Sequence, residues 1–175
     1  GPPTTRNPPR ATAMPYTPIL ATLGYILSPD RARVLMVHRN ARPGDQHLGK
    51  YNGLGGKLDP GEDVVSGFRR EIREEAGVEC TDLALRGTLS WPGFGKAGED
   101  WFGFVFLVTA FTGEPPAGNA EGSLEWIELG RLPDLPLWEG DRLFLPLVFD
   151  DDPRAFHGVM PYRDGRMQSW AFQRL

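Results

Sequence analysis

Three carboxylates crowd one turn of a segment that otherwise has the marks of a helix. In Arg69-Arg70-Glu71-Ile72-Arg73-Glu74-Glu75-Ala76-Gly77, the residues Glu71, Glu74 and Glu75 fall at i, i+3 and i+4 and so share one face. Like charges at that spacing oppose helix formation, so something must offset them. The helix itself is well founded. Val65, Phe68, Ile72 and Ala76 form one apolar stripe over 63–76, and Gly77 suits a left-handed cap. Two offsets are available. Arg69, Arg70 and Arg73 could neutralise the acids on a solvated surface. Alternatively, the acids could hold a divalent cation such as Mg²⁺, which takes oxygen ligands and usually sits beside substrate phosphates.

The surrounding pattern predicts an α+β domain. ILATLGYIL (19–27), VLMVHR (34–39), LALRGTLSW (83–91), WFGFVFLVTAF (101–111) and LEWIEL (124–129) read as strands, 139–148 as a second helix, and the C-terminus as short strands. Strands outnumber the helices set among them, as in a mixed sheet sandwiched between helices. The proline-rich residues 1–18 predict a flexible tail, leaving 19–175 as one domain. A net charge of -4 gives no basic field to attract nucleic acid, so a phosphate substrate would need local cations. The single cysteine, Cys80, excludes a disulfide within the chain and a cysteine metal site, and is expected to pack. His38, His47 and His157 are scattered without metal-ligand spacing and are given no catalytic role. No apolar run approaches the roughly 18 residues of a membrane span, and no signal peptide is apparent, so a cytoplasmic location is expected.

Spacing across the whole segment separates the two offsets. From Gly56 the order is Gly, five residues, Glu62, seven residues, Arg70-Glu71-Ile72, one residue, Glu74-Glu75, one residue, Gly77-Val78. This resembles the Nudix signature, G-x5-E-x7-R-E-U-x-E-E-x-G-U with U aliphatic, and every fixed position matches. On it the chain is identified as a member of the Nudix family. The resemblance implies a loop–helix–loop held against a mixed sheet, and hydrolysis of a nucleoside diphosphate linked to another moiety with Mg²⁺ or Mn²⁺ as cofactor. It further implies Glu71, Glu74, Glu75 and the Gly55 backbone carbonyl as metal ligands, with Gly55 and Gly56 allowing close backbone approach. Glu62 would pair with Arg70 and brace the loop. Metal ions lower the pKa of bound water, and Glu74 or Glu75 would accept its proton.

The substrate must be read elsewhere. Tyr51-Asn52-Gly53-Leu54-Gly55-Gly56-Lys57 is similar to the stretch before the signature in MutT-type members that cleanse oxidised nucleotides such as 8-oxo-dGTP. Trp138-Glu139-Gly140-Asp141, Leu145-Pro146-Leu147 and Phe156-His157-Gly158 resemble segments of the mammalian members that hydrolyse oxidised purine nucleoside triphosphates. This looser likeness runs over roughly 20–172. It implies that Asn52 bonds the purine edge, that Trp138 stacks on or walls the base, and that Asp141 reads the base edge. Thr22 and Leu23 would line the nucleoside pocket. Arg39 would meet the phosphates beside Gly55, Gly56 and Lys57, and Glu121 would add a metal ligand. Each has a plainer reading: Trp138 as core, Asn52 as a turn residue, Asp141 as a helix start, Glu121 as a solvated acid. Trp91 and Trp101 are expected as an aromatic pair stabilising a hairpin more than as a pocket border. One departure stands out: Gly140 replaces the first of two adjacent acids. The reading is therefore a nucleoside triphosphate pyrophosphohydrolase for oxidised purine nucleotides. The alternatives are a broad triphosphate pyrophosphatase or a Nudix hydrolase of dinucleoside polyphosphates or ADP-ribose. A non-catalytic nucleotide sensor would be expected to have lost these carboxylates. Oligomeric state is left open.

Overall fold

Both faces of the long strands are apolar, and that decides the architecture of the computed structural model, which describes residues 14–175. Strands β1 (Ile19–Leu27), β2 (Arg33–Arg39), β3 (Tyr51–Asn52), β4 (Glu79–Trp91), β5 (Trp101–Thr112), β6 (Gly122–Glu128), β7 (Phe156–Val159) and β10 (Ala171–Arg174) form one sheet. Its order is β10-β7-β4-β5-β1-β2-β3, with β6 on the other edge of β2. The sheet is mixed: β1 runs parallel to β5 and β4 parallel to β7, while the remaining pairs are antiparallel. A separate hairpin joins β8 (Tyr162–Arg163) to β9 (Arg166–Met167).

Helices cover the two faces. Helix α1 (Val64–Ala76) lays Phe68, Ile72 and Ala76 against Ile26, Leu35, Val37, Phe106 and Val108. Helix α2 (Asp141–Phe149) lays Phe144, Leu145 and Val148 against Tyr25, Val34, Met36, Leu89 and Val105. Neighbouring residues such as Leu35 and Met36 thus face opposite layers, as the two-residue period of a strand requires. Phe68 is fully buried, which stabilises the fold by about 1.5–3 kcal/mol. It also demands Gly24 beneath it, since a Cβ there would meet the ring at 2.1 Å.

Asp63 caps α1 by accepting from the Ser66 N–H at 2.8 Å. Gly77 ends it at φ 64, donating to Arg73 O. Strands β1 and β2 pair only at Ile26–Leu35 and Leu27–Val34 and then part. Into the fork comes the segment after β3. Gly24 exchanges both backbone hydrogen bonds with Leu54, and the Thr22 N–H donates to Gly56 O at 2.8 Å. The glycine loop is thereby fixed to the sheet.

Some expectations shift. The fourth strand begins at Glu79 rather than 83, because its first half is an edge with register shifts that break the apolar alternation. A six-residue 3-10 helix (Leu129–Asp134) was not anticipated. Most of the tail predicted over 1–18 lies outside the described residues, and residues 14–18 carry no helix or strand. No helix among the described residues is long and apolar enough to cross a membrane.

Candidate active site

The three arginines of α1 go to different partners. Arg73 forms a two-bond pair with Glu79, at 2.6 and 2.8 Å, and Arg69 donates to Cys80 O, so both face β4. Only Arg70 meets the carboxylates. It holds Glu62 through two bonds, 3.0 and 2.6 Å, and reaches Glu71 at 2.9 Å, Glu74 at 3.4 Å and Lys57 O at 3.2 Å. These bonds hold the Glu62 carboxyl down at about 2 and fasten the loop to the helix. Glu62 also accepts from the Asp59 N–H.

Glu75 receives no arginine from its own helix. Its Oε2 accepts the Gly55 N–H at 3.1 Å. Burial, then the charges of Glu121 and Glu71, push its carboxyl up to about 8 against the pull of that N–H and of Arg39. Burial also raises Glu71, against Arg70. Glu71, Glu75 and Glu121 line one cleft of about 470 Å³ together with Gly55 and Gly56. Gly55 sits at φ 152, where a Cβ would stand 2.1 Å from Thr22 O. At Gly56 a Cβ would stand 2.5 Å from the Glu71 carboxylate. Glycine at these positions lets the backbone approach β1 and leaves room for Glu71.

Glu74 stands apart. Its side chain is 59 % exposed, against 14 % for Glu71, and it does not line the cleft. Among the described residues no three acidic, imidazole or thiol groups converge on one metal-sized point. Arg70 draws Glu71 and Glu74 toward itself instead. The donors that do gather are carboxylate oxygens around a buried acid short of positive charge, which is the chemistry a hard divalent cation satisfies.

Thr22, Leu23, Arg39, Asn52, Lys57, Trp138 and Asp141 also line this cleft. Arg39 is not free for phosphates, because its fork holds Asp45 at 2.7 and 2.9 Å while Nη1 lies 3.5 Å from Glu121. Lys57 lies over the Trp101 ring at 5.6 Å. Trp138 is 8 % exposed, with Lys50 over its ring at 4.6 Å, so it walls the cleft and is core as well. Asp141 opens α2, and burial raises its carboxyl to about 7.

Seven further lining residues were given no role in the sequence reading: Ala21, Gln46, His47, Gly53, Phe94, Gly103 and Tyr162. Trp91 and Trp101 do pair across β4 and β5, but they border the cleft as well, which corrects their reading as a hairpin pair first. His47 Nδ1 accepts the Trp138 indole N–H at 2.7 Å. Burial, with Arg39 nearby, holds that imidazole down to about 4, so the ring is neutral and carries its proton on Nε2. Phe94 meets Trp138 and Tyr162 edge-on at 4.9 and 5.0 Å. Its loop is stitched to the 41–50 loop by Gln46 Nε2 on Phe94 O, 2.6 Å, and Lys96 Nζ on Gly44 O, 3.0 Å. Only the tertiary fold brings these loops together.

The cleft thus places a buried acid beside a glycine loop, at the fork of a mixed sheet between helices. The model of the NUDIX domain matches residues 18–148, and the chain belongs to the Nudix hydrolase family. It is 30% identical over 133 residues to the "Oxidized purine nucleoside triphosphate hydrolase" of Danio rerio, covering 76% of this chain and 81% of the relative. To the Mus musculus protein of the same name it is 29% identical over 145 residues, 83% and 87% of the two chains. The crystal structure of a MutT protein from Bacillus halodurans superposes with a TM-score of 0.75 at 25% identity, covering 89% of this chain and 97% of that one.

Proposed function

We propose that this Nudix hydrolase, as one domain over 19–175, is a metal-dependent nucleoside triphosphate pyrophosphohydrolase acting on oxidised purine nucleotides such as 8-oxo-dGTP. One observation carries the reading. A single cleft joins a carboxylate group (Glu71, Glu75, Glu121) to an aromatic group that includes Trp138 and Tyr162, with Asp141 beside it and Asn52 and Lys57 also on the walls. Phosphates and metal suit the first group and a base the second. The names of the animal relatives support the same substrate class.

Glu71, Glu75, the Gly55 carbonyl and Glu121 would hold Mg²⁺ or Mn²⁺, with Glu74 joining by a rotation away from Arg70. Bound there, a divalent ion supplies charge neutralisation and a water of lowered pKa. The chain's own residues do the rest. Arg70 fixes Glu62 and Glu71 and so the loop. Lys57 adds positive charge beside the phosphates, and Arg39 shapes the wall through Asp45 and Glu121. Thr22 and Leu23 flank the nucleoside, Asn52 and Asp141 bond the base edge, and Trp138 walls it. Water attacks a phosphoanhydride phosphorus, its proton passes to a carboxylate, and pyrophosphate leaves from the monophosphate. Glu75 lines the cleft whereas Glu74 does not, which favours Glu75 Oε as the proton acceptor.

The test is incubation with Mg²⁺ or Mn²⁺ and 8-oxo-dGTP, ordinary triphosphates, diadenosine polyphosphates and ADP-ribose. The expected products are 8-oxo-dGMP and pyrophosphate, with loss of turnover in EDTA and in Glu75→Gln. Equal rates on all triphosphates would favour a broad pyrophosphatase. Activity confined to the last two substrates would overturn the proposal.

A further inference from the structure

The floor of the cleft holds a polar group that this reading does not use. The Gly140 N–H donates to Tyr162 Oη at 3.0 Å. A Cβ built on Gly140 would stand 2.3 Å from Met160 Sδ and 3.0 Å from that Oη. The space of a side chain at 140 is therefore already filled by Met160 and the Tyr162 hydroxyl. The tyrosine is well fixed. Its N–H donates to Pro92 O at 2.8 Å, and its ring meets Phe94 and Trp138 edge-on at 5.0 and 5.8 Å. Its oxygen already accepts a hydrogen bond, and among the described residues its own hydrogen has no acceptor. Burial pushes the phenol up to about 12, so it keeps that proton. The adjacent Asp141 carboxyl, on the same cleft, likewise has no hydrogen-bond partner among the described residues.

A buried donor without an acceptor is satisfied by a ligand that brings one. We propose that Tyr162 is a specificity-determining residue whose hydroxyl donates to a ring carbonyl of the bound base, beside Asp141, so that oxo-purines are preferred. An amino group in that place would set donor against donor, and a site built around one hydrogen bond discriminates against ligands that cannot complete it. The inference rests on the nucleotide reading above and gives it a selecting residue.

The test is calorimetric binding of 8-oxo-dGMP, dAMP and deoxyribose 5-phosphate to wild type and Tyr162→Phe, with thermal unfolding as a control. The wild type is expected to bind 8-oxo-dGMP at least about tenfold more tightly than dAMP, as one hydrogen bond allows. Equal affinities would overturn the proposal even if the variant failed to fold. In Tyr162→Phe, 8-oxo-dGMP is expected to weaken about tenfold while the other two ligands stay within twofold. With 8-oxo-dGTP as substrate, KM rises and kcat holds. A uniform loss on all three ligands would mean that the hydroxyl only supports Gly140, and no loss would mean that it does not touch the base; either overturns the proposal. Hydrolysis of 8-oxo-dGTP with unchanged 8-oxo-dGMP binding would remove this assignment and spare the hydrolase. Selective loss of binding without any hydrolysis would do the reverse.

Discussion

Replacing Gly56 by alanine separates placement of the cleft carboxylates from stability of the fold. Gly56 has no positive φ, so alanine adopts its backbone without strain. The new Cβ would stand 2.5 Å from Cδ and Oε2 of Glu71, against about 3.5 Å for an ordinary carbon contact. The carboxylate must therefore retreat by about 1 Å, and it can, because it ends a flexible side chain. A misplacement of about 1 Å costs on the order of a hundredfold in turnover when the displaced group belongs to the reacting geometry. The expected outcome is a fall in kcat of that size, read as pyrophosphate released from 8-oxo-dGTP in saturating Mg²⁺. The melting temperature should move by only a few degrees, equivalent to about 1 kcal/mol or less. A kcat within twofold of wild type in a folded variant would refute the placement of Glu71 at the reaction. A collapse of the melting temperature would refute the reasoning about Gly56.

Gly55→Ala should behave in the opposite way. Its Cβ would press on the Thr22 carbonyl at 2.1 Å from a backbone at φ 152, so chemical denaturation should register a loss of about 3 kcal/mol or more. A variant as stable as wild type would exclude this contact. His47, depressed to about 4 from 6.5, contributes stability that is present above 6.5 and lost as pH falls from there toward 4. Its ring nitrogens should report the neutral Nε2–H form by NMR at pH 5.5, and protonation there would overturn its bond to Trp138. Asp141, raised to about 7 from 3.8, contributes stability present below 3.8 and lost as pH rises toward 7. The stability advantage of Asp141→Asn over wild type should therefore grow between pH 5 and 7 in thermal unfolding. An advantage that does not change with pH would show the carboxyl to be solvated.

The carboxylate half of the cleft was legible because it is nearly continuous in sequence. Gly55 to Gly77 forms one loop and one helix, so periodicity and spacing determine which side chains share a face. The aromatic half was only partly legible. Trp138 and Asp141 came from likeness to relatives, whereas His47, Phe94 and Tyr162 belong to three segments that meet only in the folded chain. A histidine with no ligand spacing reads as incidental until its partner Trp138, 91 residues away, is known. The strands with clean alternation were read nearly to their ends. The two-residue β3 and the irregular first half of β4 were not, since a strand held by a few backbone bonds leaves no apolar period.

The fork between β1 and β2 also decides how the two halves of the cleft are anchored. The glycine loop is hydrogen-bonded into the sheet there and braced by Arg70, so Glu71 and Glu75 are carried by a loop and helix anchored to the sheet. Gln46, His47 and Phe94 ride on two surface loops that are tied to each other and, through Asp45 and His47, to Arg39 and Trp138. The two loops must therefore change together, since exchanging one alone would break the stitching that holds Phe94 against Trp138.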